Sequence, residues 1–225
     1  MNPGKEKAVT NPGVRSRGPY AKTARVRAGI IESATAVFSE FGFRGATMKD
    51  VAERAGISQR GLVFHFETKD ELLLQVLEYR DQQTAEILAA EGNRGQLPGL
   101  LAVVHDNAQY PRLIELQTLI SAEATSADHP AHRHYAGRFD NYRVYISQIF
   151  DAIRAAGELV SPLPSTELAA TFIGLVDGLQ LQWLYDPGID VEAAAVAYLT
   201  MVCPAVVERQ FGKVATTAKG SARPE

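Results

Sequence analysis

The sequence contains a single cysteine, Cys203, among its 225 residues. One thiol cannot form a disulfide within its own chain, which excludes a disulfide-stapled fold and favours a reducing, cytoplasmic location. No apolar run reaches the roughly 18 residues of a membrane-spanning helix, and no apolar segment follows the basic N-terminus as a secretory signal would require. Nucleophile elbows, phosphate-binding glycine loops, His-Glu metal pairs and dinucleotide fingerprints are missing too. We therefore predict neither an enzyme nor a bound cofactor or metal.

Charge is distributed unevenly along the chain, although the formal net charge is only -3. Residues 1–70 carry 12 Lys and Arg against 7 Asp and Glu, whereas residues 71–225 carry 11 against 19. A basic head on an acidic body indicates that the head meets a polyanion.

Apolar residues recur at spacings of three and four through most of the chain, which predicts an all-α fold. Residues 1–20, rich in Pro, Gly and basic residues, are predicted to be a disordered arm, and residues 213–225 a disordered tail. The first helix is expected over 22–41, ended by Gly42. A linker is predicted over 91–98. Later helices are predicted over 98–108, 111–126, 130–156, 165–185 and 190–210.

Residues 47–66 carry the most informative pattern. Thr47 and Asp50 have the spacing of a capping box that opens a short helix, Gly56 supplies a turn, and Ser58 can cap a second short helix. This order is typical of a helix-turn-helix, whose second helix enters the major groove with its N-terminal residues first. A second capping pair, Thr68 with Glu71, predicts a long helix to about residue 90.

Gln59 and Arg60 would then lie at the start of the recognition helix. Arg can bond guanine O6 and N7, and Gln can bond adenine in the same bidentate way. Gly61 has no side chain, so it would let the helix approach the base edges closely. The surrounding polar residues would contact phosphates and fix the register: Thr47, Lys49, Ser58, His65 and Lys69.

The segments 41–43, 46–58, 62–66 and 69–72 together resemble the TetR (tetracycline-repressor-like) family in order and spacing. The resemblance covers about residues 23–77. It implies a homodimer, usually a repressor, that binds a palindromic DNA operator and whose larger helical domain binds a small-molecule inducer. The family's base-reading positions fall on Lys49, Gln59, Arg60 and Gly61. Its backbone-contacting positions fall on Thr47, Ser58, His65 and Lys69.

The chain departs from this family pattern at Val63, where the family usually has a Tyr whose hydroxyl meets a phosphate. A second hydroxyl-bearing aromatic is often found where this chain has Phe64. The loss of one such bond corresponds to roughly 0.5–1.5 kcal/mol. We expect DNA binding to survive this loss.

The domain organisation follows from these patterns. We predict an arm at 1–20, a three-helix DNA-binding domain at 21–67, a ligand-binding and dimerisation domain at 68–212, and a tail at 213–225. The arm could enter a minor groove or remain solvated. An activator of the same architecture remains open, because operator position decides between the two. A sequence-independent DNA-binding protein is also open, although its acidic body argues against it.

The last two long helices are apolar on more than one side, which indicates burial against a second subunit. The family resemblance places the dimer seam on the same helices. The residues expected in this seam are Phe172, Leu175, Leu179, Trp183, Tyr198, Val202 and Val206.

The middle helices mix apolar residues with polar ones, as ligand pockets do. The candidate pocket residues are His105, Asn107, Tyr110, Gln117, Glu123, Tyr142, Tyr145 and Gln182. We expect the ligand to act by shifting the long helix that follows the head. Three imidazoles, those of His129, His132 and His134, could instead bind a transition metal. Their spacing does not place them on one helix face, so we expect no metal site there.

Overall fold

This computed structural model describes residues 19–91 and 96–212. These residues form ten α-helices and contain no β-strand. The helices are α1 (Pro19–Gly45), α2 (Met48–Arg54), α3 (Gln59–His65), α4 (Lys69–Glu91), α5 (Gln96–Ala108), α6 (Pro111–Glu123), α7 (His132–Ala155), α8 (Ser165–Tyr185), α9 (Val191–Val202) and α10 (Pro204–Phe211). The predicted all-α fold is confirmed. None of the described helices is both long and apolar enough to cross a membrane.

Both ends of the chain were predicted to be disordered. Residues 1–18 of the predicted arm and all of the predicted tail, 213–225, lie outside the described residues. The last two residues of the predicted arm are helical, because α1 begins at Pro19. Proline is well tolerated at a helix start, where its missing N–H has no partner to lose.

The predicted stop at Gly42 coincides with a break inside α1. Gly42 has φ 71° and ψ 160°, and helical residues continue beyond it to Gly45. A positive φ of this size is easy for glycine and strained for other residues. The break turns the chain so that a last turn of α1 leads directly into the cap of α2.

Two predicted helix boundaries differ from the structure, and a proline lies near each of them. The helix predicted over 190–210 is two helices, α9 and α10, which meet at Cys203 and Pro204. Pro204 has no N–H to continue α9, and it fits the first turn of α10. The linker predicted over 91–98 was too long, because α5 already begins at Gln96 and contains Pro98 in its first turn. Residues 92–95 of that linker lie outside the described residues.

The first of two hydrophobic cores joins the head to the body. Buried side chains of α1 to α4, such as Phe38, Phe66 and Leu72, share one cluster with Ile120 of α6 and Tyr135 of α7. The predicted domain boundary at 67/68 therefore does not coincide with a break in the packing. The second core contains buried residues of α5, α7, α8, α9 and α10.

Candidate functional site

The segment from α2 to α3 is held by its two helix caps. Asp50 N donates to Thr47 Oγ1 at 3.2 Å, and Thr47 N donates to the Asp50 carboxylate at 2.9 Å, which completes the predicted capping box. Gly56 makes the turn with φ 66°. Ser58 then caps α3, its Oγ accepting from Gly61 N at 3.1 Å. The local geometry expected of a helix-turn-helix is present.

One face of α3 is anchored and the other is open. Leu62 is fully buried in the first core, whereas Gln59 and Arg60 are exposed at the start of the helix. Val63 and Phe64 continue this open face, and Phe64 is 83% exposed. An exposed phenylalanine loses the free energy that its burial would give. The sequence analysis noted only that Phe64 lacks the hydroxyl often found at this position in the family. Phe64 is two residues after the inward-facing Leu62, and this helical spacing could have indicated that Phe64 faces outward.

Gly61 has a structural reason to be glycine. A Cβ built at this position would lie 3.2 Å from Ser58 Oγ, tighter than an ordinary contact, and its N–H is already bonded to that oxygen. The small residue therefore makes room for the cap of α3. Close approach of Gly61 to base edges stays a prediction.

The predicted phosphate-contacting side chains differ in their exposure and in whether they are already bonded within the chain. Ser58 and Lys49 are exposed, and Lys49 pairs only with Glu53 on its own helix, at 3.6 Å. The Thr47 hydroxyl donates to the Asp50 carboxylate at 2.7 Å, so its one hydrogen is used by the cap. His65 is half-buried, and its ring lies edge-on to that of Phe64.

Lys69, which is predicted to contact a phosphate, is bonded within the chain in this structure. Its ammonium donates to the carbonyls of Phe43 at 2.8 Å and Ala46 at 3.1 Å, with Arg44 O at 3.5 Å, and it lies 4.6 Å from the centroid of the Phe43 ring. A lysine ammonium has three donors, and all of them point at the end of α1. Lys69 therefore fastens the start of α4 to the end of α1, and its contact with a phosphate stays a prediction.

We expect Lys69→Met to destabilise the protein by about 1.5–3 kcal/mol, because charge-assisted hydrogen bonds to α1 are lost while the aliphatic stem is kept. Urea unfolding followed by circular dichroism measures the change. Lys49→Met is the control, since its exposed pair with Glu53 should contribute less than about 0.5 kcal/mol. Equal stability of the two variants would contradict the fastening role.

Arg27 is a second fastening residue, which the sequence analysis did not identify. Its guanidinium donates to His65 O at 2.8 Å and to Gln75 Oε1 at 3.1 Å, and it lies 4.0 Å over the Phe66 ring. It thereby joins α1 to the end of α3 and to α4. No sequence motif marks this role, because the two partners are 38 and 48 residues away.

The predicted seam residues divide between two faces of the last helices. Phe172, Val202 and Val206 are buried in the chain's own second core, which corrects their assignment to a surface. Leu175, Leu179, Trp183 and Tyr198 are partly buried. The exposed positions of α8 and α9 include the small or apolar residues Ala170, Gly174, Leu181, Tyr185, Ala193, Ala197 and Met201. The polar exposed positions of α8 are Thr166, Glu167, Thr171, Asp177 and Gln182.

A cavity of about 360 Å³ lies among α4, α5, α6, α7 and α8. Its wall is mainly aliphatic and aromatic, with a minority of polar groups, as small-molecule sites usually are. Four predicted pocket residues line it: Asn107, Gln117, Tyr142 and Tyr145. Polar wall residues that the sequence analysis did not select include Arg138, Asp177 and Gln180.

The other four predicted pocket residues do not line this cavity. His105 Nδ1 lies 3.0 Å from Glu192 Oε2, at a second, more polar pocket of about 330 Å³. Tyr110 is 51% exposed, and the Gln182 side chain donates to Gly178 O. Glu123 pairs with Arg44 of α1 at 3.1 Å. Helical spacing alone did not distinguish these outward positions from inward ones.

The three histidines point in different directions. His129 Nε2 lies 3.9 Å from Glu123, His132 Nδ1 lies 2.8 Å from Ala124 O, and His134 Nε2 lies 3.3 Å from Asp81. Burial lowers the pKa of His134, with Glu78 opposing the change. Within 19–91 and 96–212, no group of three or more His, Cys, Asp or Glu is placed to hold a metal ion.

Two ionic contacts hold α4 to the cavity walls. Arg80, only 4% exposed, donates to Asp106 Oδ2 at 2.8 Å and to Asn107 Oδ1 at 2.6 Å on α5. The next residue, Asp81, forms an ion pair with Arg138 of α7. Asn107 and Arg138 both line the cavity. The helix that follows α3 is therefore bonded directly to two residues of the cavity wall.

Comparison with known proteins assigns the head. Residues 30–76 match the family model of bacterial regulatory proteins, tetR family. The HTH-type transcriptional regulator RutR of Escherichia coli K12 is 39% identical over 70 residues, 31% of this chain and 31% of RutR. The chain thus matches about a third of the length of that relative. SrpR of Pseudomonas putida, another HTH-type transcriptional regulator, is 24% identical over 170 residues, 75% of this chain and 80% of SrpR.

Solved structures share the complete architecture. A Rhodococcus sp. protein described as a TetR-family transcriptional regulator is 26% identical, with a TM-score of 0.63, over 82% of this chain and 98% of its own. The SmeT–triclosan complex has a TM-score of 0.68 over 89% of this chain and 100% of its own, and at 19% identity it is a likeness of fold alone. Residues 30–76 therefore carry the DNA-binding domain of the tetR family, and the described helices share their fold with a TetR-family transcriptional regulator.

Proposed function

We propose that this protein is a homodimeric DNA-binding transcriptional regulator, most simply a repressor that a small molecule releases from a palindromic operator. The observation that carries the proposal is the open face of α3, which presents Gln59 and Arg60 outward from the N-terminal end of the helix. This end of a recognition helix contacts base edges, where Arg reads guanine and Gln reads adenine.

Further DNA contacts follow from the same face. Phe64 is placed to meet a thymine methyl group, the apolar feature of the major groove. Ser58 and His65 lie at the two ends of α3, where phosphate contacts would fix the register. Lys49 and Gly61 are kept as base-reading positions and Thr47 as a backbone contact. The two domains are proposed as 21–67 and 68–212, with the head and body sharing one core.

The exposed small and apolar positions of α8 and α9 are the proposed dimer seam. Gly174 and Ala197 would let helices of two subunits approach closely, and Leu181 and Met201 would be buried between them. A two-fold axis through this seam gives two copies of α3, which can read two half-sites about one helical turn apart.

Release from DNA is proposed to run through α4. An occupant that moves Asn107 or Arg138 at the cavity wall also moves their partners on α4, Arg80 and Asp81. Since α4 begins just after α3, such a movement changes the separation of the two recognition helices. By linkage, operator DNA must weaken ligand binding by the same factor as ligand weakens DNA binding.

The test is fluorescence anisotropy with DNA from upstream of the protein's own gene and with a scrambled duplex, at low and at physiological salt. The wild type should prefer the native DNA by about a thousandfold or more at physiological salt. Arg60→Ala should lose about ten- to hundredfold on the native DNA, which corresponds to one base contact. Light scattering on the same sample should give the mass of a dimer.

Arg133→Ala is the matched control, because it removes the same charge from an exposed position on α7. It should leave the preference intact. Equal binding of both duplexes that fades with salt would instead indicate a sequence-independent DNA-binding protein. Equal losses in Arg60→Ala and Arg133→Ala would contradict base reading by α3.

A further inference from the structure

The charges at the cavity wall are unbalanced. Two formally charged side chains line it, Arg138 and Asp177. Arg138 is neutralised by its ion pair with Asp81, which lies behind the wall on α4. In the described part of the chain, no cationic side chain forms a direct ion pair with Asp177. The cavity therefore presents one carboxylate that forms no direct ion pair among the described residues.

Asp177 is an exposed residue of α8, and its side chain also lines the cavity. Removal from bulk water nevertheless raises the pKa of the carboxyl, and the Arg138 guanidinium opposes this only in part. A cationic ligand group that enters the cavity can form the direct ion pair that Asp177 lacks within the chain, and closing the contact reduces its screening by water.

The wall also contains polar atoms without partners. Gln180 is 8% exposed, and its Nε2 has no hydrogen-bond acceptor within the described residues. The Tyr142 hydroxyl, equally at the wall, has no partner there either. Buried polar groups are normally hydrogen-bonded, so these two groups are suited to bonding a ligand that enters the cavity. A ligand oxygen could accept from both.

Aromatic rings supply the rest of the recognition surface. Phe139, Tyr145 and Phe172 line the same cavity, with aliphatic side chains between them. Flat apolar surfaces of this kind favour an aromatic ligand body, and the volume of about 360 Å³ suits a molecule of two or three fused or linked rings.

We propose that the cavity binds aromatic monocations, with the ammonium group beside Asp177 and a hydrogen-bond-accepting oxygen at Gln180 and Tyr142. This inference rests on the proposed function only in treating the cavity as the effector site. Binding itself can be measured without DNA, which keeps the two separable.

The experiment uses three fluorescent probes that share a dansyl sulfonamide and a five-carbon chain but end in ammonium, methyl or carboxylate. Dansyl emission is titrated with full-length protein in the absence of DNA. The ammonium probe should bind about five- to fiftyfold more tightly than the carboxylate probe, with the methyl probe between them. Asp177→Asn should remove this order, and Asp177→Glu should keep it.

Asp151→Asn, a substitution of an exposed carboxylate on α7 away from the cavity, is the control for net charge and should not alter the order. The proposal is overturned if no probe binds, if the three bind equally, or if Asp177→Asn keeps the wild-type order. Ammonium-selective binding that leaves DNA affinity unchanged would retain this inference and contradict ligand-controlled release.

Discussion

Asp106→Ala is expected to destabilise the protein by about 3–5 kcal/mol. The substitution leaves the guanidinium of Arg80, which is 4% exposed, without its carboxylate partner. A buried charge that loses its partner carries an uncompensated desolvation penalty. Asn107 still accepts one hydrogen bond from Arg80, but a neutral amide does not balance the charge. Urea unfolding at one fixed protein concentration measures the loss.

Substitution of the other partner of this ion pair, Arg80, should destabilise the protein less. Arg80→Met keeps most of the buried volume, and the Asp106 side chain, 29% exposed, can be solvated by water. We expect no more than about half the loss seen in Asp106→Ala. Glu115→Ala, which breaks an exposed pair with Arg112, is the matched control and should change stability by less than about 1 kcal/mol. Equal losses at Arg80 and Asp106 would contradict the asymmetry.

Phe38→Ala is expected to cost about 3–5 kcal/mol, because the Phe38 side chain is fully buried and packs edge-on against Phe43 at 5.5 Å between ring centroids. Its cluster extends from the head into α6 and α7. The head should therefore unfold together with the body, and not as a separate domain. Both halves should lose stability in one transition.

Two spectroscopic signals can test this cooperativity. Trp183 is the single tryptophan and lies on α8, outside the first core, whereas circular dichroism reports on all helices. Thermal transitions followed by the two signals should coincide in the wild type, and both should shift equally in Phe38→Ala. A shift in circular dichroism that leaves the Trp183 transition unchanged would mean that head and body unfold independently.

Local signals in the sequence predicted the head accurately. The caps at Thr47 and Ser58 and the turn at Gly56 each depend on residues at most four positions apart, so a linear pattern contains the necessary information. The same signals placed Gln59 and Arg60 at the start of α3. The hydrogen bonds of Lys69 could not be read from local signals, because its partners lie at the end of α1, 23 to 26 residues earlier.

The body was harder to predict because its helices have apolar residues on several faces. In α8 and α9 some apolar faces pack in the internal core and others lie on an open surface. The spacing of apolar residues does not distinguish the buried faces from the exposed ones. Phe172 and Val202 are inward for this reason, while Leu181 and Met201 are outward.

Four of the eight predicted pocket residues line the cavity. Polar residues within apolar helices suggested Asn107 and Tyr142, which line the cavity, but the sequence analysis did not select Arg138 or Asp177. Their position depends on how five helices are arranged around one space. No single helix encodes that arrangement.

Cys203, the single thiol, makes the native chain a convenient background for site-directed spin labelling. It is fully buried, its Sγ lies 3.2 Å from Leu199 O, and burial with Glu158 nearby raises its pKa to about 11. Maleimides and methanethiosulfonates react with accessible thiolates, so they should leave Cys203 unmodified. A cysteine introduced at an exposed position of α3 would then carry the only nitroxide in each subunit. Pulsed dipolar spectroscopy could thus measure the distance between the two α3 helices of the proposed dimer without first removing any native residue.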